Sequence, residues 1–284
     1  MKSKLECVPC LLKQSLNATE VVTDDPVVQE KVLKSVMTVL QDMPLNKSPP
    51  AIAHAVYSIV HNITGCDDPY SALKAEYNTI AMEMYPCLKE IVDKSEDRLF
   101  TAIKLAIAGN IIDFGADIQF NIRTTIKDTL TREFAINNYP EFMESLEKAE
   151  NILYLADNAG EVVFDRILIE ELNDHANIIY AVKKSPIIND ATTDDATFCG
   201  IDPLAEIVTT ADTPGTLLER CDPEFVATYR SADMIISKGQ GNYESLSEED
   251  GNIFFMLLAK CPVIAADLGV KLRDAVLKHK SDTT

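Results

Sequence analysis

The chain has 284 residues, of which 46% are hydrophobic and 25% are charged, and its formal net charge is −19. These proportions are ordinary for a globular protein, but so acidic a surface repels nucleic acid and anionic membranes, and we expect neither as a partner. No apolar run approaches the roughly 20 residues of a membrane span, and the first residues, MKSKLECVPC, lack the apolar core of a secretory signal. We therefore predict a cytoplasmic protein, in which an anionic substrate would have to meet a metal ion or a lysine within the site.

The first part of the chain carries the spacing of helices and no strand-like run. Apolar side chains recur at helical intervals, and Asp25-Pro26 and Asp68-Pro69 have the polar residue and proline that open many helices. The pattern predicts helices over 5–20, 25–42, about 48–62, about 68–93 and about 98–108. We expect residues 1–100 to form a helical N-terminal subdomain, with a soft boundary to a second domain over 101–284.

The second part alternates short apolar runs with helical segments. NILYLA is followed by a helical pattern over 161–172, and NIIYAV comes next. The pattern predicts strands over 151–156, 177–182, 206–209, 234–237 and 262–266, whereas 253–258 fits a strand or a helix equally well. Because such alternation is typical of βαβ units, the prediction is an α/β fold with a mainly parallel sheet.

Polar residues follow the first two predicted strands. Asp157 and Asn158 come directly after NILYLA, and Asp190 follows the second strand. Sites in open α/β sheets form at the carboxyl ends of strands, and carboxylate and amide oxygens suit hard divalent cations. The structural alternative is that these residues only cap the helices that follow. Two acids at one sheet edge favour a divalent cation site built from Asp157, Asn158 and Asp190.

A glycine-rich turn follows the strand predicted at 234–237. It reads Lys238-Gly239-Gln240-Gly241-Asn242. Such turns present backbone N–H groups to anions, and the lysine adds charge, although the spacing is not that of a P-loop. A plain strand-to-helix turn explains the sequence equally well. The functional hypothesis is that Lys238, Gly239, Gly241 and Asn242 bind the substrate.

Another glycine-bracketed segment lies at the end of the last predicted N-terminal helix. In GNIIDFG (109–115), the two glycines enclose Asn110 and Asp113. The structural interpretation is a helix C-cap with local side-chain bonds. The functional one is a loop that closes over the site.

Cys7 and Cys10 form a CxxC motif near the start of the first helix. One CxxC supplies two of the four ligands that structural zinc usually has, and no strand precedes it as in thioredoxin-type motifs. Buried structural thiols or a redox-labile pair are therefore favoured over zinc. We expect a Cys7→Ser/Cys10→Ser variant to keep its turnover, because a thiolate is a poor ligand for the hard cation predicted above.

Together these segments resemble the metal-dependent damage-control phosphatases, the ARMT-like family, in its prokaryotic and archaeal branch with a CxxC. The likeness covers most of the chain, and five segments in the family order make it specific. They are GNIIDFG (109–115), ADNAGEVVFD (156–165), KKSPIINDATTDDA (183–196), SKGQGNYESL (237–246) and KCPVIAADLGV (260–270).

The resemblance implies a fold, a metal site and an activity. The fold would be a helical N-terminal part packed on a Rossmann-like three-layer α/β/α core. Asp157, Asn158 and Asp190 would hold the metal, Lys238 would lie at the substrate phosphate, and Asn110 and Asp113 would line the cleft. The activity would be hydrolysis of small phosphate monoesters, such as sugar phosphates or damaged phosphometabolites.

Several functional questions stay open at the level of sequence. The metal would be Mn, Ni, Co or Mg, since no thiolate is in the ligand set. Water or a carboxylate would be the nucleophile, with Asp157, Asp190 and Asp113 as candidates for base or nucleophile. The alternatives are an S-adenosylmethionine-dependent protein-carboxyl methyltransferase, for which DNAGE has too few glycines, and a non-catalytic metal- or metabolite-binding protein, which would not need Lys238.

Overall fold

The structure is a computed structural model that describes residues 1–110, 126 and 128–281. Its first part confirms the predicted helices, which are α1 (Cys7–Val22), α2 (Pro26–Gln41), α3 (Pro49–Thr64), α4 (Ser71–Asp93) and α5 (Arg98–Gly109). The predicted cap of α2 is present, because the Asp25 side chain accepts a hydrogen bond from the backbone N–H of Val27 at 2.9 Å.

The second part alternates strands and helices, as the sequence predicts. Its elements are β1 (Ile136–Asn137), α6 (Tyr139–Leu146), β2 (Asn151–Leu155), α7 (Glu161–Leu172), β3 (Asn177–Val182), α8 (Thr193–Phe198), β4 (Glu206–Thr209), a 3-10 turn (Leu218–Arg220), α9 (Pro223–Ser231), β5 (Met234–Lys238), α10 (Gly239–Leu246), β6 (Ile253–Leu258), α11 (Pro262–Leu268) and β7 (Ala275–His279).

The prediction of a strand over 262–266 is wrong, because this segment is the helix α11. Pro262 occupies its first turn, and the Cys261 Sγ atom accepts a hydrogen bond from the backbone N–H of Ile264. Gly269, with φ of +69°, ends the helix in the left-handed region. An early proline and a closing glycine are helix signals, so the sequence carried the information needed.

The strands of the described residues form one seven-stranded sheet in the order β1-β7-β6-β5-β2-β3-β4. The strands from β6 to β4 run parallel, whereas β7 runs antiparallel to β6. The chain crosses from β2 to β3 on one side and later returns to β5 on the other side of β2. The carboxyl ends of β2 and β5 therefore flank a topological switch point, where α/β sheets bind ligands.

Helices cover both faces of the sheet. Alternate residues of β2 point to opposite sides: Ile152 and Tyr154 pack with α4, α5 and α7, and Leu153 and Leu155 pack with α9, α10 and α11. This confirms the predicted α/β architecture with helix, sheet and helix layers.

The first three helices have their own hydrophobic core. Leu11, Val32, Val36 and Val56 from α1–α3 form a cluster that is separate from the cluster of α4, α5 and the sheet. The division predicted at residue 100 stays a prediction, and the change between hydrophobic cores falls earlier, between α3 and α4. α3 packs against α10, so this helical unit lies beside the glycine-rich turn. None of the helices in the described residues is long and apolar enough to cross a membrane.

Candidate functional site

The predicted metal ligands lie together on two loops at the carboxyl ends of β2 and β3. Asn158 and Asp190 face each other in an isolated antiparallel bridge. The backbone N–H of Ala159 donates to the Asn189 carbonyl at 2.8 Å, and the N–H of Ala191 donates to the Asp157 carbonyl at 2.8 Å. Backbone pairing therefore sets the separation of the three ligand candidates, which does not depend on their side chains alone.

The Asp157 carboxylate is enclosed by polar groups of three segments. Its Oδ2 atom accepts hydrogen bonds from the Asn110 amide at 2.7 Å and from the Asn158 amide at 2.8 Å. On its other side lies Gly239, where a Cβ atom would come within 2.0 Å of the same oxygen. Gly239 has φ of +78°, so this glycine is required both by its backbone and by the space that Asp157 occupies.

Burial and neighbouring acids disfavour the ionised forms of Asp157 and Asp190. Burial raises the pKa of Asp157, and the charges of Glu161 and Asp190 raise it further, whereas Lys260 and Lys238 oppose this. Burial also raises the pKa of Asp190, against the opposing charge of Lys183. Clustered carboxylates whose ionisation is suppressed are stabilised by a nearby cation.

Asp190 is paired with a lysine, and the loop that leads to it has an unfavourable backbone conformation. The Lys183 ammonium lies 3.6 Å from the Asp190 carboxylate and donates to the Gly215 carbonyl at 2.5 Å. Ile188, two residues before Asp190, has φ of +48°, which is rare for a β-branched residue. The loop therefore adopts an unfavourable backbone conformation where it turns back toward Asn158.

Asn110 links the end of α5 to the same site. Its amide nitrogen donates to Asp157 and also to the Glu161 carboxylate at 2.6 Å. Its Oδ1 atom is buried and has no hydrogen-bond partner in the described part of the chain. A buried acceptor without a donor is unfavourable, and a cation or an ordered water would satisfy it. Asp113, the other residue predicted in this loop, lies outside the described residues.

Glu161 is a site residue that the sequence analysis missed. It is the first residue of α7, is 2% exposed, and accepts from the Asn158 amide at 2.7 Å as well as from Asn110. It therefore orients both amides that bind Asp157. The signal was present in the sequence, because Glu161 and Asp165 are spaced to share one face of a helix that packs on the sheet.

Lys238 lies beneath the site, in the protein interior. Its side chain is fully buried, and its ammonium donates to Asp165 at 2.5 Å and to Glu161 at 3.4 Å. Asp165 also accepts from the hydroxyls of Tyr154 at 2.7 Å and Tyr180 at 2.9 Å. Burial lowers the pKa of Lys238, but the two carboxylates outweigh this and raise it, so the ammonium stays charged. In the described residues its ion-pair partners are therefore these two carboxylates, and the expected contact with a substrate phosphate stays a prediction.

Asn242 and Gly241 also serve the packing of the turn. The Asn242 amide nitrogen donates to the carbonyls of Ala156 at 3.0 Å and Lys238 at 2.8 Å, and its Oδ1 atom accepts from Thr216 at 2.8 Å. A Cβ atom at Gly241 would lie 3.2 Å from the backbone nitrogen of Gly215. The Asn242 side chain thus joins the ends of β2 and β5, and its binding to the substrate stays a prediction.

The donor set fits a hard divalent cation. Asp157, Asn158 and Asp190 offer oxygen atoms, and the unpartnered oxygen belongs to Asn110, whose amide nitrogen donates to Asp157. Within residues 1–110, 126 and 128–281, no three histidine, cysteine or acidic side chains converge as a metal-binding group. The amide oxygen of Asn158 is therefore needed to complete a ligand set of the predicted kind.

A polar cavity adjoins the site. It has a volume of about 490 Å³ and lies between α4 and the segment that carries Asp190. Its polar lining combines lysine, asparagine and hydroxyl side chains with the carboxylates of Asp68, Asp194 and Asp195. Lys183 borders both this cavity and Asp190, so the cavity is a candidate binding place for the remainder of a polar substrate.

Comparison with known proteins places these features in a family. The family model described as the damage-control phosphatase ARMT1-like domain matches residues 3–276. The chain is 36% identical to the damage-control phosphatase PH1575 of Pyrococcus horikoshii, over 95% of each chain. It is 33% identical to a damage-control phosphatase of Archaeoglobus fulgidus, over 98% of this chain and 99% of the relative.

A solved structure has the same fold over the whole length. The crystal structure of the DUF89 family protein from Pyrococcus horikoshii matches with a TM-score of 0.89 and 33% sequence identity. The match covers 99% of this chain and 100% of the other.

Proposed function

The chain belongs to the ARMT1-like damage-control phosphatase family, and from this premise we propose that it hydrolyses small phosphate monoesters with a divalent cation held by Asp157, Asn158 and Asp190. The phosphatase class follows from the family, and the metal ion, the residues and the substrate range are our proposal. The proposed metal is Mn, Ni, Co or Mg.

The observation that carries the proposal is the pairing of two loops at the switch point. The backbone bridge between Asn158 and Asp190 holds three oxygen-bearing side chains at one sheet edge. The orphaned Asn110 oxygen and the raised pKa values of Asp157 and Asp190 support a bound cation. When bound, a divalent cation there would polarise the phosphoryl group and lower the pKa of water.

We assign the other steps of the reaction to individual residues of the site. Asp190 is paired with Lys183, whereas Asp157 has no ammonium within 4.0 Å in the part of the chain that the structure describes. We therefore assign Asp157 to accept the proton of an attacking water, with Asp190 and Asp113 as the other candidates. Asn110 and Asn158 orient Asp157, and the buried Glu161 orients both amides.

Phosphate binding is assigned to an exposed lysine and to backbone N–H groups. Lys260 is exposed, and its charge is the largest of those that lower the pKa of Asp157. We assign it the contact with phosphate oxygens that the sequence had suggested for Lys238. The backbone N–H groups at the start of α10, including those of Gly239 and Gly241, would complete the site.

The adjoining cavity supports a small polar substrate. Its hydroxyl, ammonium and carboxylate groups can hydrogen-bond the hydroxyl groups of a sugar phosphate or a similar phosphometabolite. The acidic surface supplies no long-range attraction for anions, so recognition would depend on these local groups.

The test is phosphate release from a panel of sugar phosphates, with each of the four metals and after exhaustive chelation. We expect activity only with metal, and we expect Asp157→Ala and Asp190→Ala to abolish both activity and Mn²⁺ binding measured by calorimetry. Asp202→Ala changes an exposed acid elsewhere and should match the wild type. Full activity in the chelated protein would refute the metal, and full activity in both site variants would refute the residues.

A further inference from the structure

One side chain of α4 reaches both of the loops that carry the proposed metal ligands. Asn78 lies in the first half of α4 and is 3% exposed. Its Oδ1 atom accepts a hydrogen bond from the backbone N–H of Gly160 at 2.7 Å, and its Nδ2 atom donates to the Asp195 carboxylate at 2.7 Å. The amide suits this place because it offers an acceptor to one partner and a donor to the other. A single side chain therefore connects the loop after β2 with the start of α8.

Gly160 is the residue at which the loop with Asp157 and Asn158 enters α7. It is buried, has φ of +78°, and occupies the N-cap position of α7 without a side chain that could cap the helix. A buried backbone N–H without a partner is unfavourable, so the hydrogen bond that Gly160 donates to Asn78 is important for this turn. The bond ties the loop of the first two proposed ligands to α4.

Asp195 holds the segment that follows Asp190. Its Oδ2 atom accepts hydrogen bonds from the backbone N–H of Thr192 at 2.8 Å and from the Thr192 hydroxyl at 2.7 Å, as part of the capping box that begins α8. Thr192 lies only two residues after Asp190. The position of Asp195 is therefore transmitted to the loop of the third proposed ligand.

The contact between α4 and Asp195 is buried and charged. Asp195 is 7% exposed and Lys74 is 4% exposed. The Lys74 ammonium lies 3.3 Å from Asp195 and 3.4 Å from Asp68, and Lys74 is four residues before Asn78 on α4. Where water is excluded, hydrogen bonds to a carboxylate are strong and restrict the geometry of both partners.

We propose that Asn78 is a positioning residue: by joining Gly160 to Asp195, it holds the two loops with the proposed metal ligands at a fixed separation. The inference rests on the proposed function, which supplies those ligands. The backbone bridge between Asn158 and Asp190 is one connection between the loops, and Asn78 is a second, at the points where the loops enter α7 and α8. Loops that are joined at two points cannot rotate about either one, so a cation would meet a preformed set of ligands.

Asn78 also lines the polar cavity beside the site. A change at this position would therefore alter KM if the substrate touched it directly, without any effect on the metal ligands. Calorimetric titration of Mn²⁺ into the substrate-free protein separates the two roles, because only the positioning of the ligands affects that measurement.

The test exchanges the two partners of one hydrogen bond. Asn78→Asp keeps an oxygen for the N–H of Gly160 but places a carboxylate against Asp195. Asn78→Asp/Asp195→Asn restores a donor opposite an acceptor, with the carboxylate now on α4, where Lys74 is one helical turn away. We expect Mn²⁺ affinity to fall roughly 10- to 100-fold in the single variant and to return to within about threefold of the wild type in the double variant. If Asn78→Asp does not fold, Asn78→Ala takes its place in the titration.

The matched control removes another hydrogen bond between the same two helices. Tyr85 of α4 donates to Glu170, near the far end of α7, at 2.7 Å. Tyr85→Phe should lower the melting temperature and keep the Mn²⁺ affinity of the wild type. If Asn78 only stabilised the fold, its variants would behave in the same way. Wild-type Mn²⁺ affinity in folded Asn78→Asp, or no recovery in the double variant, would therefore overturn the inference.

Hydrogen exchange of the metal-free protein gives a readout that does not depend on the proposed function. Asn78→Ala should speed exchange in residues 157–161 and 190–195, whereas Tyr85→Phe should leave both segments unchanged. A wild type that binds none of the four metals would refute the proposed metal site. Faster exchange in both segments would then still support Asn78 as the connection between the loops, and unchanged exchange in both would overturn it.

Discussion

The carboxylate of Asp157 occupies the space that a side chain at position 239 would need. A Cβ atom there would lie 2.0 Å from one carboxylate oxygen and 2.6 Å from the other. The glycine that follows β5 thus determines the space available to the Asp157 carboxylate of the proposed metal site, although it contributes no functional group.

Gly239→Ala should therefore remove metal binding. The left-handed backbone costs alanine roughly 1–2 kcal/mol, and the new methyl group displaces Asp157 as well. Gly269→Ala is the matched control, because Gly269 has φ of +69° with nothing within 4 Å of its Cβ position. We expect similar backbone penalties in thermal unfolding, with loss of Mn²⁺ binding in calorimetry only for Gly239→Ala. Normal Mn²⁺ affinity in that variant would show that Asp157 does not need this space.

Lys238→Met should destabilise the fold through Asp165 and Glu161. Removing one partner of a buried ion pair typically costs about 3–5 kcal/mol, since the remaining charge has lost its counter-ion. Adding Asp165→Asn should recover much of that loss in a denaturant titration. If Lys238 instead contacts phosphate, the double variant would be stable but would bind inorganic phosphate more weakly as a competitive inhibitor. We expect the inhibition constant of phosphate to be unchanged in the double variant.

Lys260→Ala should reduce catalysis without weakening metal binding. Losing a charge-assisted hydrogen bond costs about 1.5–3 kcal/mol, which corresponds to a fall in kcat/KM of roughly 10- to 150-fold. Lys271→Ala, at another exposed lysine, should leave kcat/KM unchanged. Equal kinetics of the two variants would remove Lys260 from the phosphate site.

Glu244 should make stability depend on pH. Burial raises its pKa from the ordinary value of 4.5 to about 7, while the Gln240 amide donates to it at 2.9 Å. Between these two values the folded state keeps a proton that the unfolded state has released, so this group favours folding less as pH rises. Above pH 7 this difference in pKa lowers the free energy of unfolding by about 3 kcal/mol.

Glu244→Gln removes that titration and keeps an oxygen for Gln240. The variant should gain thermal stability relative to the wild type at pH 8 and show little gain at pH 4. A difference in melting temperature that is the same at both pH values would exclude Glu244 as the cause.

The sequence was sufficient for the position of Asp157, Asn158 and Asp190 because strand ends are defined by local apolar patterns. It was less informative about the burial of Lys238, because its glycine neighbours alone indicate only an anion-binding turn. In β5, however, Lys238 shares a face with Met234 and Ile236, which pack in the main core, so alternation alone points it inward. The need for a buried partner would then have drawn attention to Asp165.

The contacts between the helical unit and the glycine-rich turn were not predictable in the same way. Tyr57 donates to Gln14 only because α1 and α3 pack together, and α3 lies beside the glycine-rich turn only because it packs on α10. These are contacts between elements far apart in the chain, and no local pattern encodes them. The residues whose roles depend on such packing were those that the sequence left unassigned.

The unfavourable backbone conformation of Ile188 lowers the stability of the fold, while the same turn brings the chain to Asp190. Glycine would adopt its φ of +48° without the penalty of roughly 1–2 kcal/mol that a side chain incurs. Laboratory evolution for heat tolerance alone should therefore favour replacement of this isoleucine, and a parallel selection for phosphate release should retain the tighter turn toward Asp190. Different residues at position 188 in the two lineages would show that the activity depends on the backbone conformation of this loop.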